Sequence, residues 1–129
     1  EIVLQGEVVL SQKDIQEFQL AKAAIAAGLR ILLDKAGIGK EEVSAVYIAG
    51  AFGNYINLER MVHTGMMDFP LDRFHKLGNS ALIGAKMFLF EMPEMAGDIL
   101  GLCRHLNLES EEAFQDIFVD RLSFSPPSS

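Results

Sequence analysis

The segment that most narrows the fold is Val43–Ile56. Val43 to Ala49 reads VSAVYIA and is apolar at nearly every position. A strand without polar alternation is one covered on both faces, the usual state in a parallel sheet. It runs straight into Gly50-Ala51-Phe52-Gly53-Asn54, read as a glycine-rich turn. A short helix follows from about Leu58 to Met66, ended by Gly65 and the Asp68-Phe69-Pro70 break.

The rest of the chain alternates in the same way. Ile2-Val3-Leu4 and Val8-Val9-Leu10, split by Gln5-Gly6, predict a hairpin of two short strands or one strand with a glycine irregularity. Ser11-x-x-Asp14 then resembles a capping box with Asp as the returning acid. Capping is therefore the reading for Asp14. The spacing of Ile15, Phe18, Ala21, Ile25, Leu29, Leu32 and Ala36 predicts a helix from Gln12 to Ala36 with that apolar stripe, closed by Gly37. Inside it, Ala23-Ala24-Ile25-Ala26-Ala27-Gly28 forms a smooth face suited to close packing. Phe74–Leu77 predicts a second strand, Asn79 or Ser80 caps a helix to Phe90, and Pro93 starts another. His105–Leu108 alternates as a late strand, on which Cys103 and His105 would share a face. Ser110 opens a last helix with Phe114, Ile117, Phe118 and Leu122 as its stripe. Ser125–Ser129 reads as a frayed, disordered tail. Strands alternating with helices, without repeat or linker, predict one α/β layered domain over 1–124.

Composition excludes several classes. The chain is 50% apolar with a net charge of −7, which rules out a disordered chain. Eleven Lys and Arg against 18 Asp and Glu argue against nucleic-acid binding. The longest uncharged run, between Glu42 and Glu59, is too short and too broken by Gly and Asn to cross a membrane. Without a basic-then-apolar leader, the expected location is cytoplasmic. Cys103 stands alone, and His63, His75 and His105 are dispersed, so no metal site is expected. No catalytic set is assignable. Met61, Met66, Met67, Met87, Met92 and Met95 read as core filler and an adaptable contact surface.

The chemistry-bearing candidate is the strand–glycine–helix junction. Gly50 and Gly53 free the backbone to turn sharply and admit a ligand against the main chain. Ligands of open α/β sheets bind at strand carboxyl ends, and N–H groups at a following helix start hold an anion or a polar ring edge. A plain tight turn explains the same residues. Gly50-x-x-Gly53 lacks the dinucleotide fingerprint, and no Gly-Lys-Ser/Thr follows as in a P-loop. A second junction stands at Leu77-Gly78-Asn79-Ser80, with Gly84 and Ala85 further along its helix. The candidate ligand-binding residues are Gly50, Ala51, Phe52, Gly53, Asn54, Gly78 and Asn79.

The order of motifs is recognisable. Ser11-Gln12-Lys13-Asp14-Ile15 leads to Ala21-Lys22-Ala23-Ala24-Ile25-Ala26-Ala27-Gly28, then Ala49-Gly50-Ala51-Phe52-Gly53-Asn54-Tyr55, Gly78-Asn79-Ser80-Ala81 and Phe114-x-x-x-Phe118. From about Val8 to Phe124 the chain resembles the C-terminal part of the ferredoxin-containing reductive activators of corrinoid proteins. These belong to the ATPase superfamily of acetate and sugar kinases, heat-shock chaperones and actin (ASKHA). The resemblance implies a ribonuclease-H-like lobe, one of two that close over ATP, with Gly50–Gly53 matching the adenosine-contacting element and Asn79 nearby. It implies a parent that uses ATP with Mg, carries a 2Fe-2S ferredoxin domain, and returns a corrinoid protein or corrinoid methyltransferase from cob(II)amide to cob(I)amide. Leu82 and Met61 depart from the small residues usual at their positions, narrowing the cleft or repacking the lobe.

The chain begins at Glu1 inside an apolar run, as a piece of something longer would. The first lobe and the cluster cysteines are missing from it, so the fragment alone is expected to be inactive. Two other readings compete. The lobe is a docking or homodimerisation module, through its small-residue helix face and Met87–Met95. Or it belongs to a sugar or acyl kinase-like enzyme on the same scaffold.

Overall fold

The computed structural model describes residues 2–90 and 93–124, without the side chains of 93–96. The tail Ser125–Ser129, Met92 and the Met95 side chain lie outside the described residues.

Strands β1 (Ile2–Gln5) and β2 (Val8–Leu10) pair antiparallel through a turn at Gly6, whose φ of 57° is the left-handed conformation. The hairpin is thus the correct one of the two readings. Helix α1 (Gln12–Ala36) starts where its capping box predicts. Ser11 Oγ accepts from the Asp14 N–H at 3.2 Å, and the Asp14 carboxylate accepts from the Ser11 N–H at 2.8 Å and its hydroxyl at 2.6 Å. Those bonds, the hydroxyl's first, hold the Asp14 carboxyl below its ordinary value. At the other end Gly37 turns left-handed, φ 67°, and its N–H reaches the Asp34 carbonyl.

Helix α1 is covered on two sides, which the predicted stripe does not describe. Ile25, Leu29 and Leu33 lean on the core. Phe18, Ala21, Leu32 and Ala36 stay exposed. The deepest burial falls instead on Ala23, Ala27, Gly28 and Ile31. Helix α6 (Glu112–Asp120) runs antiparallel beside α1, tied by a 2.7 Å Lys35–Glu111 ion pair at one end and by Gln19 Nε2 donating to the Leu122 carbonyl at the other. Small side chains admit the segment that leads into α6: a Cβ on Gly28 would lie 3.1 Å from Leu108 Cδ1. The smooth face therefore packs within the chain, and it is not the free dimerisation face of the docking reading.

A 3-10 turn at Lys40–Glu42 leads to β3 (Val46–Ala49), which is shorter than the expected Val43–Ala49. Strand β3 pairs in parallel with β4 (Phe74–Gly78): Val46 opposite Phe74, Tyr47 opposite His75, Ile48 opposite Lys76, then a slip that sets Ala49 opposite Gly78. One face carries the core: Ile48 and Phe74 pack with Met61, Met66 and Phe69, the two Phe rings edge-on at 6.2 Å. The other face is open. Tyr47 is 63% exposed, with its ring 5.3 Å from His75, so the expectation of cover on both faces fails within this chain. Arg73 pins the approach to β3, its guanidinium donating to the carbonyls of Lys40, Glu41 and Val43.

Helix α2 (Gly50–Tyr55) replaces the expected open turn, and α3 (Leu58–His63) ends before Gly65. Beyond β4 come α4 (Ser80–Phe90) and α5 (Pro93–Leu102). The late strand at His105–Leu108 does not form: with no neighbour to pair with, this stretch runs into a 3-10 turn, Leu108–Ser110, capped by Asn107 Oδ1. Cys103 and His105 share no strand face. Helix α6 begins one residue after Glu111, with Ser110 inside the 3-10 turn, and buries half of Phe114, Ile117 and Phe118.

Candidate functional site

Parallel pairing of β3 and β4 brings both strand–glycine–helix junctions to the same end of the sheet. Gly50, after β3, has φ 85°; Gly78, closing β4, has φ 68°. Both conformations favour glycine, because an L side chain there clashes with its own backbone. The left-handed step at Gly50 reverses the chain so abruptly that helix begins at once, and this is why the expected turn is helical.

The two glycines of the first junction serve different ends. A Cβ on Gly53 would sit 2.5 Å from Ile48 Cγ2 and 3.2 Å from the Ile48 carbonyl. Gly53 is thus the contact by which α2 lies on its own strand. A Cβ on Gly50 would meet nothing within 4 Å. The main chain at Gly50 is open to an approaching group.

The junctions touch. Asn54 Oδ1 lies 3.7 Å from where a Gly78 Cβ would stand. Asn79 Oδ1 accepts from the Leu82 N–H at 3.0 Å and so caps α4, as expected of Asn79. Ala51, Phe52 and Asn54 are exposed. Phe52 and Tyr55, 60% and 90% exposed, put aromatic surface on this end of the sheet. Of the seven sequence candidates, Gly53 is buried as packing, Asn79 is engaged as a cap, Ala51, Phe52 and Asn54 are exposed, and Gly50 and Gly78 are half-buried at the two helix starts. Of the two departures from the family pattern, Met61 is buried in the core and Leu82 is exposed on α4.

Lys76 was not among the candidates, and it organises the site. Its ammonium donates to the Ile56 carbonyl at 2.7 Å and to the Asn54 carbonyl at 3.3 Å. A cation here satisfies the carbonyls at the C-terminal end of α2 and ties that helix to β4. The available signal was a lone charge in a short strand, two residues before its closing glycine.

Among the described residues, no three of His, Cys, Asp and Glu cluster as metal ligands, and no helix is long and apolar enough to cross a membrane.

Residues 1–128 match the family described as the C-terminal domain of RACo, the ASKHA domain. A corrinoid activation enzyme, RamQ of Eubacterium limosum, is 30% identical over 124 residues, which are 92% of this chain and 20% of that protein. The [Co(II) methylated amine-specific corrinoid protein] reductase of Methanosarcina barkeri is 24% identical over 95% of this chain and 24% of its own length. A solved reductive activator for a corrinoid, iron-sulfur protein superposes with a TM-score of 0.75 at 34% identity, over 85% of this chain and 18% of that one. The chain thus spans about a fifth of the length of the relatives it matches. With its α/β layering, its paired junctions and a family match over almost its whole length, the chain belongs to the family of C-terminal ASKHA domains of RACo.

Proposed function

We propose that this lobe supplies the adenosine-contacting half of an ATP-dependent reductive activator, which returns a corrinoid protein from its Co(II) to its Co(I) state. The observation that carries the reading is the open main chain at Gly50, beside Gly78, at the carboxyl end of a parallel strand pair. That surface fits a purine: glycine lets a flat ring approach the backbone, and Phe52 offers an apolar face. Gly50, Ala51, Phe52 and Gly78 would border the nucleoside. Gly53, Asn54, Lys76 and Asn79 would hold the shape of that border. The first lobe would bring the phosphate and Mg sites.

ATP, when bound, would draw the two lobes together. Residues 1–124 would move as one lobe, reshaping the surface offered to the corrinoid protein or corrinoid methyltransferase. Nucleotide drives such a change only if the states differ in partner affinity. The electron would come from a 2Fe-2S domain elsewhere in the parent, and the cytoplasm is the setting this chemistry suits. The names of the curated relatives favour this reading over a sugar or acyl kinase.

Titration of ATP and ADP into the full-length protein tests the reading. Gly50→Asn keeps a residue that tolerates left-handed backbone and puts a side chain in the open space. Wild type should bind, and the variant should bind at least about tenfold more weakly while melting near wild type. Equal binding by the two proteins would contradict it.

One observation favours a docking role as well. Helix α4 is apolar on all sides apart from Lys86, and Leu82, Ile83, Met87, Phe88, Leu89 and Phe90 are exposed. An uncovered patch of this kind marks an interface. Capture of the corrinoid protein that depends on α4 and is indifferent to nucleotide would support docking over the nucleotide reading.

A further inference from the structure

A cleft lies away from the glycine junctions, where the chain leads into the two strands. It measures about 380 Å³ and is walled by α1, by residues 38–41 leading into β3, and by residues 65–69 leading toward β4. Leu29 and Leu33 give it apolar surface beside the buried Met66 and Phe69, in a lining that is otherwise largely polar and charged. Most of its charges are already matched: Arg30 pairs with Asp34 at 3.0 Å and Lys40 with Asp68 at 2.6 Å. Glu41 sits on the exposed 3-10 turn.

Arg121 is different. It lines the cleft half-buried, and among the described residues its guanidinium has neither an acidic partner nor a hydrogen-bond acceptor. Lys22 stands beside it, 1% exposed. The Lys22 ammonium donates to the Ser123 carbonyl, lies 5.6 Å from the centre of the Phe124 ring, and is 3.8 Å from where a Cβ on Gly65, a cleft residue, would stand. An ammonium carries three donors, and among the described residues this one has a single acceptor. Burial and the nearby Arg121 charge both push the Lys22 ammonium toward losing its proton. Arg121 in the cleft and Lys22 behind Gly65 thus set two cations close together, in a chain that is acidic overall. Unpaired charge in such a place is costly unless an anion completes it.

We infer that this cleft binds a small organic anion, a carboxylate whose head pairs with Arg121 and whose short apolar body lies on Leu29 and Leu33. Arg presents a planar fork that matches a carboxylate, and the volume is that of a small-ligand pocket. The inference does not rest on the nucleotide reading, since the cleft lies away from the glycine junctions.

Calorimetric titration of phenylbutyrate and of neutral phenylbutanol into the full-length protein tests it. The acid should bind saturably and at least about tenfold more tightly than the alcohol. Arg121→Gln should bring the two within about twofold, Arg121→Lys should keep part of the preference, and Ala26→Leu, which narrows the cleft, should weaken both. Thermal melts of each variant separate lost binding from lost fold. Absence of saturable binding, equal affinity for acid and alcohol in the wild type, or an acid affinity unchanged by Arg121→Gln in a folded protein would overturn the inference.

Discussion

Helices α1 and α4 are both rich in apolar residues, yet one is finished within this chain and the other is not. α1 carries its charges on the outside apart from the buried Lys22, seats Ile25, Leu29 and Leu33 on the core and buries Ala23, Ala27 and Ile31 completely or nearly so. α4 has one charge, no polar face, and every residue after Ser80 exposed. A helix that is apolar all round belongs in the interior of something larger. The β1–β2 hairpin shares this condition, with Ile2, Val3, Leu4, Val8 and Val9 exposed, as does the Tyr47–His75 face of the sheet. Stability therefore resides in the α1, β3–β4, α3 and α6 half, and the other half is surface awaiting cover.

Core truncation should break this contrast most visibly. Phe74→Ala should cost about 3–5 kcal/mol in urea denaturation, as a buried aromatic does. Leu89→Ala on α4 should shift stability by no more than about 0.5 kcal/mol. A comparable loss from both would erase the distinction.

The glycines sharpen the comparison within one junction. Gly53→Ala forces a methyl into Ile48 and should destabilise by about 1–3 kcal/mol. Gly50→Asn should cost less, so the melting temperatures should fall in the order wild type, Gly50→Asn, Gly53→Ala. Smaller again is the cap: Ser11→Ala should cost about 1 kcal/mol. Because Asp14 binds its proton less readily when folded, its contribution is present above the carboxylate's ordinary value and lost as pH falls through the lowered one.

Lys22 gives the smallest effect, legible as a slope. Folding lowers its proton affinity, with Arg121 the neighbouring charge and the Ser123 carbonyl, Phe124 ring and Gly65 around it. Its charged form opposes folding below the lowered pKa. That opposition is relieved as pH rises from there toward the value of a free lysine. Denaturation between neutral and alkaline pH should show stability gained in wild type and a flatter profile in Lys22→Met.

The elements most legible in the sequence are those with local chemical signatures. Ser11 with Asp14 marks the start of α1, Gly37 its end, and Gly50 and Gly78 the two junctions. What escaped depends on distant partners. The Ile and Leu spacing points to one face of α1, but the deepest burial falls on Ala23, Ala27, Gly28 and Ile31, on a side set by the distant segment 108–122. His105–Leu108 alternates like a strand and has no strand to pair with. Val43–Ala49 is apolar enough for cover on both faces, and this chain covers one. Lys76 and Lys22 matter through carbonyls that are distant in sequence, which no spacing rule reaches. Of the candidate junctions, Gly50, Gly78 and their nearness were legible, while the packing of Gly53 on Ile48 and the tie through Lys76 were not.

Hydrogen exchange of the full-length protein with and without ATP addresses the central proposal most directly. If this lobe contacts the adenosine, amides in residues 49–55 and 78–83 should slow together on adding ATP, while those of 38–41 and 65–69, away from the junctions, keep their rates. Protection of the first lobe alone, with 49–55 and 78–83 unchanged at saturating nucleotide, would contradict it.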